Sequence, residues 1–388
     1  MLPAFGTIVA KRELPYARVL ARSLAEHHPG NPFLVLLADE VQGCFEPERE
    51  PFELLTLDDL RIPHGGRFRF LNRRQPLSYA ATPYFLSSLL DRGYGHVVFL
   101  KQESLVLGTQ RSVLDALETH SIVLTPHLLG PPETDDARER ELNILLSGIF
   151  NGGLVGVRDT ELARRFLRWW EDRVFVGCRH AVGEGMHYEQ RWLDLVPGYF
   201  RDTCILRDSG ANIGHWNLPE RCGAVPQLLR FSGFDPDRPE HVTRYSDRLA
   251  TGDLDGLSGR FADYAQSLHA AGWAETHRWP YAYDSFRNGV PVPELARDLY
   301  TELGDDVDTF GDPFATGAGS FYAWLNEPVQ RPHRVTRLWK AVHALRADLQ
   351  EAFPEPLGAD HDAFLDWARS SGGAEHQVDS AFLPAVRH

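Results

Sequence analysis

Lysine is nearly missing from this chain: of 40 basic residues among 388, only Lys11, Lys101 and Lys340 are lysines. A GC-rich coding sequence accounts for that bias in general, yet it makes a lysine inside an apolar stretch hard to put down to drift. Cysteine is scarce as well. Cys44, Cys178, Cys204 and Cys222 lie far apart with no CxxC spacing, which favours reduced, mostly buried thiols over disulfides. No apolar run approaches the roughly 20 residues that a bilayer crossing needs, so no membrane span is expected. Positive charge is in deficit, and a net charge of −14 disfavours a general binder of nucleic acid or anionic membranes. The opening MLPAFGTIVAKR puts its charges after its apolar residues, the reverse of a secretory leader; the expected location is the cytoplasm.

What is present is ordinary for a globular protein of two domains, or of one large domain with an appendage: 43 % apolar and 24 % charged residues. Phe5–Ala10 reads as a strand. Leu14-Pro15 opens a helix with Tyr16, Val19, Leu20 and Leu24 at helical spacing, and Phe33–Ala38 and Phe52–Leu57 are further strands. That βαβ start predicts an α/β fold, a mostly parallel sheet flanked by helices. The stretch GHVVFLKQESLVLG, Gly95–Gly108, holds two short apolar strands, His96–Leu100 and Ser104–Leu107, with Lys101, Gln102 and Glu103 between them. Polar groups at the carboxyl end of a strand covered on both faces stand where open α/β sheets bind ligands.

Residues 63–77 read as a Gly-bounded loop in which Arg67, Arg69, Arg73 and Arg74 surround Phe68 and Phe70. Such a loop is either a solvated connection or a clamp on a phosphate or anionic acceptor; basic–aromatic alternation also suits single-stranded nucleic acid, which the acidic chain disfavours. Thr82-Pro83 has the form of an N-cap followed by proline at the first helical position. Pro131–Glu141 reads as an acidic loop or lid, and Asp159–Val174 as a helix packing Leu162, Phe166, Trp169 and Trp170 into the core. From about Thr243 the βα rhythm ceases. Arg260–Ala271, Pro293–Glu302, His333–Glu351 and Asp360–Ser370 are predicted helices, giving a catalytic domain over 1–242 and a mainly helical region over 243–388.

The central stretch resembles the strand–DxD–strand core of nucleotide-sugar glycosyltransferases of the GT-A fold, where relatives read V-V-Y-L-D-P-D-I-L-V-L-G. The likeness extends through LPYARVLARSLAEHHP and FLVLLADE, through Phe150–Val157 (relatives F-N-x-G-F-I-G-V) and His187–Asp194 (F-V-D-Q-K-W-I-D), to Leu229–Asp235 (F-H-F-S-G-F-D). YAYDSFRNGVPVP, GDPF and FYAWLN resemble the tails of bacterial members. The resemblance implies a GT-A-like fold and sugar transfer from a nucleotide-sugar donor to a small-molecule, peptide or glycan acceptor, with no nucleic-acid partner. It implies donor contacts from Ala10, Lys11, Arg12, Asp39, Thr82, Gln102 and Gly233. Sugar or acceptor contacts fall to Asn151, Gly152, Gly153 and Gln190, and the reaction centre to Lys101, Glu103, Glu189 and Arg230. Read without the resemblance, Asn151 is a buried asparagine in a β-bulge and Glu189 a solvated helical residue.

This chain departs from the family at three places. Lys101 and Glu103 stand where relatives carry the two metal-binding aspartates, Arg230 where they carry the histidine that completes the ligand set, and Thr82 where they carry a lysine. Charged lysine and arginine cannot ligate a metal, whereas arginine clamps phosphate with a fork and lysine acts as a point charge. Two readings follow. Either these cations replace the ion at the diphosphate, so that no divalent metal is expected as cofactor, or catalysis has been lost and the fold persists to bind a nucleotide or a partner enzyme.

Overall fold

The computed structural model describes residues 2–221, 223–254 and 256–384, so Cys222 lies outside the described residues. Contacts divide the chain into two units, Met1–Pro63 with Arg74–Tyr281, and His64–Arg73 with Ala282–His388. The division expected after residue 242 falls instead after 281. The first unit contains strands β1 Ala4–Val9, β2 Phe33–Leu37, β3 Glu53–Thr56, β4 His96–Leu100, β5 Ser104–Val106, β6 Ile122–Pro126, β7 Phe150–Arg158, β8 His180–Ala181, β9 Met186–His187, β10 Thr203–Ile205 and β11 Leu228–Arg230.

Seven of these form one sheet in the order β10-β6-β7-β4-β1-β2-β3. All its pairings are parallel except those of β7, which runs antiparallel to both β4 and β6. The fold is therefore the mostly parallel, helix-flanked sheet that the βαβ opening predicted. Val97, Val98, Phe99 and Leu100 are all buried, as a run lacking polar alternation requires of a strand covered on both faces. Two-stranded ribbons β5–β11 and β8–β9 lie outside the main sheet. Among the described residues no helix is long and apolar enough to cross a membrane.

Local chemistry differs from expectation in three segments. Arg67–Arg74 is not a solvated loop: Gly65–Leu71 is helical, Phe68 and Phe70 are fully buried, and Phe70 packs on Phe286, Tyr300, Phe314 and Phe321 within the second unit. Arg67 and Arg73 are spent on Asp305 and Glu294. Thr82-Pro83 does not open a helix, because Arg74–Asp91 runs through it with Pro83 inside. The segment read as an acidic loop passes into a helix, Ala137–Ser147, none of whose residues is buried. The remainder of the second unit is helical, with Glu294–Glu302, Phe321–Asn326, Arg337–Leu345, Ala347–Ala352 and His361–Trp367 as its main elements.

Candidate active site

The site is assembled by strand register. At the end of β4, Leu100 pairs with Leu154 of β7, and the ladder continues one step further as the Lys101 amide donates to the Gly153 carbonyl at 3.0 Å. Lys101 is thereby laid beside Asn151-Gly152-Gly153. In the ribbon, Arg230 of β11 faces Ser104 of β5, and the Phe231 amide donates to the Glu103 carbonyl at 2.8 Å. Arg230 and Glu103 thus meet although 127 positions separate them. Glu189 follows Tyr188, whose φ of +49° is unusual for a bulky side chain. That turn lies between β9 and the next helical turn, and the Trp170 indole donates to the Glu189 carbonyl at 3.1 Å.

Two buried ion pairs result. Lys101 Nζ lies 3.1 Å from Glu189 Oε1 and 3.5 Å from the centroid of the Tyr79 ring. Arg230 Nη2 donates to Glu103 Oε1 at 2.8 Å. Lys101, Glu189 and Arg230 are 9 %, 1 % and 3 % exposed. Burial works against the Lys101 ammonium, but the neighbouring Glu189, Tyr79 and Glu103 outweigh it, so its pKa is raised. For Glu103 burial favours the neutral acid, and Arg230 and Lys101 overcome it, leaving the pKa lowered. Lys101 and Glu103 are therefore both charged at neutral pH.

Around them runs an amide network. Arg230 Nη1 donates to Asn151 Oδ1 at 3.1 Å and to Asn212 Oδ1 at 3.4 Å. Asn212 donates to Thr125 Oγ1 at 2.7 Å, and the Gly152 amide donates to Gln190 Oε1 at 2.9 Å. Glycine at 153 is a steric requirement, since a Cβ there would stand 1.3 Å from Arg230 Nη1. Lys101, Asn151, Glu189, Gln190 and Arg230 line one cleft of about 1060 Å³, together with Tyr79, His127, His187, His215, Trp216 and Tyr245. A second cavity of about 770 Å³ beside Arg18, Cys44 and Glu50 contains none of the expected site residues.

Several expected donor residues sit elsewhere. Lys11 is wholly buried, held by Asp39 Oδ1 at 3.1 Å and Gln42 Oε1 at 2.8 Å. In the loop after β1, Lys11 is therefore paired with Asp39. Ala10 is buried and donates its amide to Glu13 Oε2 at 3.0 Å, while Arg12 bonds His277 Nε2 at 2.8 Å. Thr82 is buried inside its helix with its hydroxyl directed to the Ser78 carbonyl at 3.4 Å. Gln102 is half-buried at the turn between β4 and β5. Gly233 has a φ of +74°, and a side chain there would meet Thr243 and Tyr245.

Lysine and arginine offer no lone pair while charged, and the one carboxylate of the Lys-Gln-Glu turn is taken by Arg230. Among the described residues no three His, Cys, Asp or Glu side chains are grouped to hold a metal. Sequence reasoning assigned no role to Tyr79, His127, Asn212, His215 or Trp216. Asn212 alone carried a usable sign, an asparagine beside Gly-Ala in a turn, and it does adopt a φ of +54°.

No family model matches the chain. An uncharacterized protein of Bacillus subtilis (strain 168), YfnF, is 24 % identical over 221 residues, 56 % of this chain and 73 % of that protein. Among solved structures, the chain is similar to the galactosyltransferase LgtC in complex with donor and acceptor sugar analogues, with a TM-score of 0.42 and 16 % identity. That alignment covers 68 % of this chain and 95 % of LgtC. The glycosyltransferase GlyE of Streptococcus pneumoniae TIGR4 also gives a TM-score of 0.42, at 13 % identity, covering 74 % of this chain and 67 % of GlyE.

Proposed function

We propose that the chain is a glycosyltransferase that moves a sugar from a nucleotide-sugar donor to a hydroxyl-bearing acceptor, with Lys101 and Arg230 facing the diphosphate in place of a divalent ion. The observation that carries this reading is that the two buried ion pairs are incompletely satisfied. Glu189 Oε2 and Arg230 Nε are sealed from solvent and have no hydrogen-bond partner among the described residues. A buried pair offsets its desolvation only when its remaining donors and acceptors are also bonded. An arrangement that leaves one of each unmade, at about 1–3 kcal/mol apiece, is poor as a structural device and suits a site awaiting a ligand.

A diphosphate leaving group develops negative charge that a preorganised cation stabilises. As the bond from the anomeric carbon to the diphosphate oxygen breaks, Arg230 exchanges Glu103 for phosphate oxygens and Lys101 turns from Glu189 to the same group. Glu189 is then released to face the sugar and the acceptor hydroxyl, whose oxygen bonds to the anomeric carbon as its proton passes to the departing diphosphate oxygen. Asn151 and Gln190 supply hydrogen bonds to hydroxyls.

A second reading has one observation in its favour. Each cation is already matched by a carboxylate, as in a site that has lost turnover and only binds a nucleotide or partner enzyme. Thermal-shift titration with UDP-, GDP-, dTDP- and ADP-sugars, with and without Mn²⁺, followed by turnover in excess EDTA, separates the two. A bound donor raises apparent stability by RT ln(1 + [L]/Kd). Stabilisation with turnover unchanged by EDTA is the expected result. Turnover abolished by EDTA overturns the metal-free clause, while binding without turnover, or neither binding nor turnover under any condition, favours the second reading.

A further inference from the structure

We propose that His127 is a positioning residue which, by fixing the orientation of Asn151, sets the Arg230 guanidinium for an anionic ligand. This rests on the reading of Arg230 as the diphosphate-facing cation. Asn151 Oδ1 receives the Gly153 amide at 2.9 Å, Arg230 Nη1 at 3.1 Å and Asn212 Nδ2 at 3.2 Å. An amide and a guanidinium have only donors to offer, so the atom they converge on is the oxygen. The Asn151 Nδ2 group must then be the one that faces His127 Nε2, at 3.0 Å.

A donor facing Nε2 requires a lone pair there. The ring proton is therefore on Nδ1, where the Ile149 carbonyl lies at 3.3 Å to receive it. The Asn217 amide donates to the His127 carbonyl at 2.9 Å and also to the Asn212 carbonyl at 3.3 Å, tying the backbone of the two residues together. A doubly protonated ring would set N–H against NH₂ and undo the chain. His127 is buried, His187, His215 and Arg230 line the same cleft, and burial together with the two histidines keeps its pKa far below the usual range, at about 3. The ring is thus a permanent acceptor at Nε2.

The consequence reaches Arg230. Were Asn151 turned over, its NH₂ would face the guanidinium, and Nη1 would keep only the longer contact to Asn212. With Asn151 held, Nη1 is committed to the two asparagines and the remaining edge of the fork, Nη2 and Nε, is left for Glu103 or for the ligand that displaces it. His127 does not touch the reacting atoms in this scheme. It acts through Asn151.

The test uses the full chain, inorganic pyrophosphate as probe, and two variants. His127→Phe keeps the ring that packs edge-on against Trp216 at 5.5 Å but offers no acceptor, whereas His127→Gln restores a carbonyl oxygen. Calorimetric titration is expected to show pyrophosphate binding weakened about tenfold in His127→Phe, the scale of one misdirected charged hydrogen bond, and largely rescued in His127→Gln. In ¹⁵N spectra of the unmodified protein His127 should remain the neutral Nδ1–H tautomer from pH 8 down to pH 5. If the unmodified protein binds pyrophosphate and His127→Phe binds it equally well, the positioning role is overturned while the anion site stands. If neither pyrophosphate nor any nucleotide sugar binds the unmodified protein, the function proposed above fails. The Nε2–H tautomer, or titration near pH 6.5, overturns the orientation argument independently of any ligand.

Discussion

Replacing Lys101 by methionine removes one charge and little volume, and its effect follows from the geometry of the pair. Glu189 is 1 % exposed, its Oε1 is held by Lys101 at 3.1 Å, and its Oε2 has no partner among the described residues. Without the ammonium the carboxylate is stranded in a nearly dry site, a change that costs about 3–5 kcal/mol when one member of a buried pair is removed. Loss of the contact with Tyr79 at 3.5 Å adds about 1 kcal/mol. The double variant Lys101→Met with Glu189→Gln removes both charges and should recover most of that loss, since neutral replacements of a buried pair are often no less stable. Urea unfolding of the four proteins in the cycle, followed by circular dichroism, measures both. Turnover should behave in the opposite way, with neither the single nor the double variant active. A single variant as stable as the unmodified protein, or a double variant as unstable as the single one, would refute the claim that the pair is kept for function at a cost to stability.

Three further outcomes are expected. Glu103→Gln removes the carboxylate that occupies Arg230 and should tighten pyrophosphate binding several-fold in calorimetry; unchanged or weaker binding shows that Glu103 does not compete with the anion. Gly153→Ala places a methyl group on Arg230 Nη1, so the guanidinium must leave and anion binding should be lost while circular dichroism still reports the folded sheet. Stability should also fall as pH drops below 6.5, because burial lowers the pKa of His127 to about 3 and those of His187 and His215 to about 4. The unfolded chain takes up these protons first, so the contribution is complete above pH 6.5 and is lost toward pH 3–4, by at most about 1.4 kcal/mol per pH unit for each histidine. A flat urea midpoint between pH 7 and pH 5 contradicts that assignment.

Much of the fold was legible because its signals are local. The run Val97–Leu100 is apolar without alternation, which only a doubly covered strand tolerates, whereas Glu189 was assigned only through the match of His187–Asp194 to the family pattern. Thr82-Pro83 misled because an N-cap with proline after it looks the same as a proline inside a helix whose surroundings bury it on many sides. Leu77, Ala80, Ala81, Phe85 and Leu89 are all inside, so no polar face marks how far the helix extends. The arginine-rich stretch misled for a related reason: Phe68 and Phe70 are anchors for a unit whose remaining residues begin at 282. The pairing of Lys101 with Glu189, 88 positions away, depends on how β7 is laid beside β4 and how the turn after β9 meets Gly152. No pattern within either segment records it.

The helix Ala137–Ser147 has a thermodynamic consequence for the cleft it borders. Eleven residues are too few to be stably helical in isolation, and Leu142, Leu145 and Leu146 remain about half exposed. Its fastening is ionic: Arg248 reaches Asp136 at 2.7 Å and Glu139 at 2.5 Å, and Arg140 reaches Glu220 and the Trp216 carbonyl, the latter at 3.0 Å. The exposed Arg248 pairs contribute roughly 0–1 kcal/mol each and weaken as salt shortens the screening length. A segment fastened in this way is expected to open more often than the sheet behind it. Amide hydrogens of residues 137–147 should exchange faster as ionic strength rises while those of β4 and β7 do not, so that salt sets how often this wall of the cleft is in place.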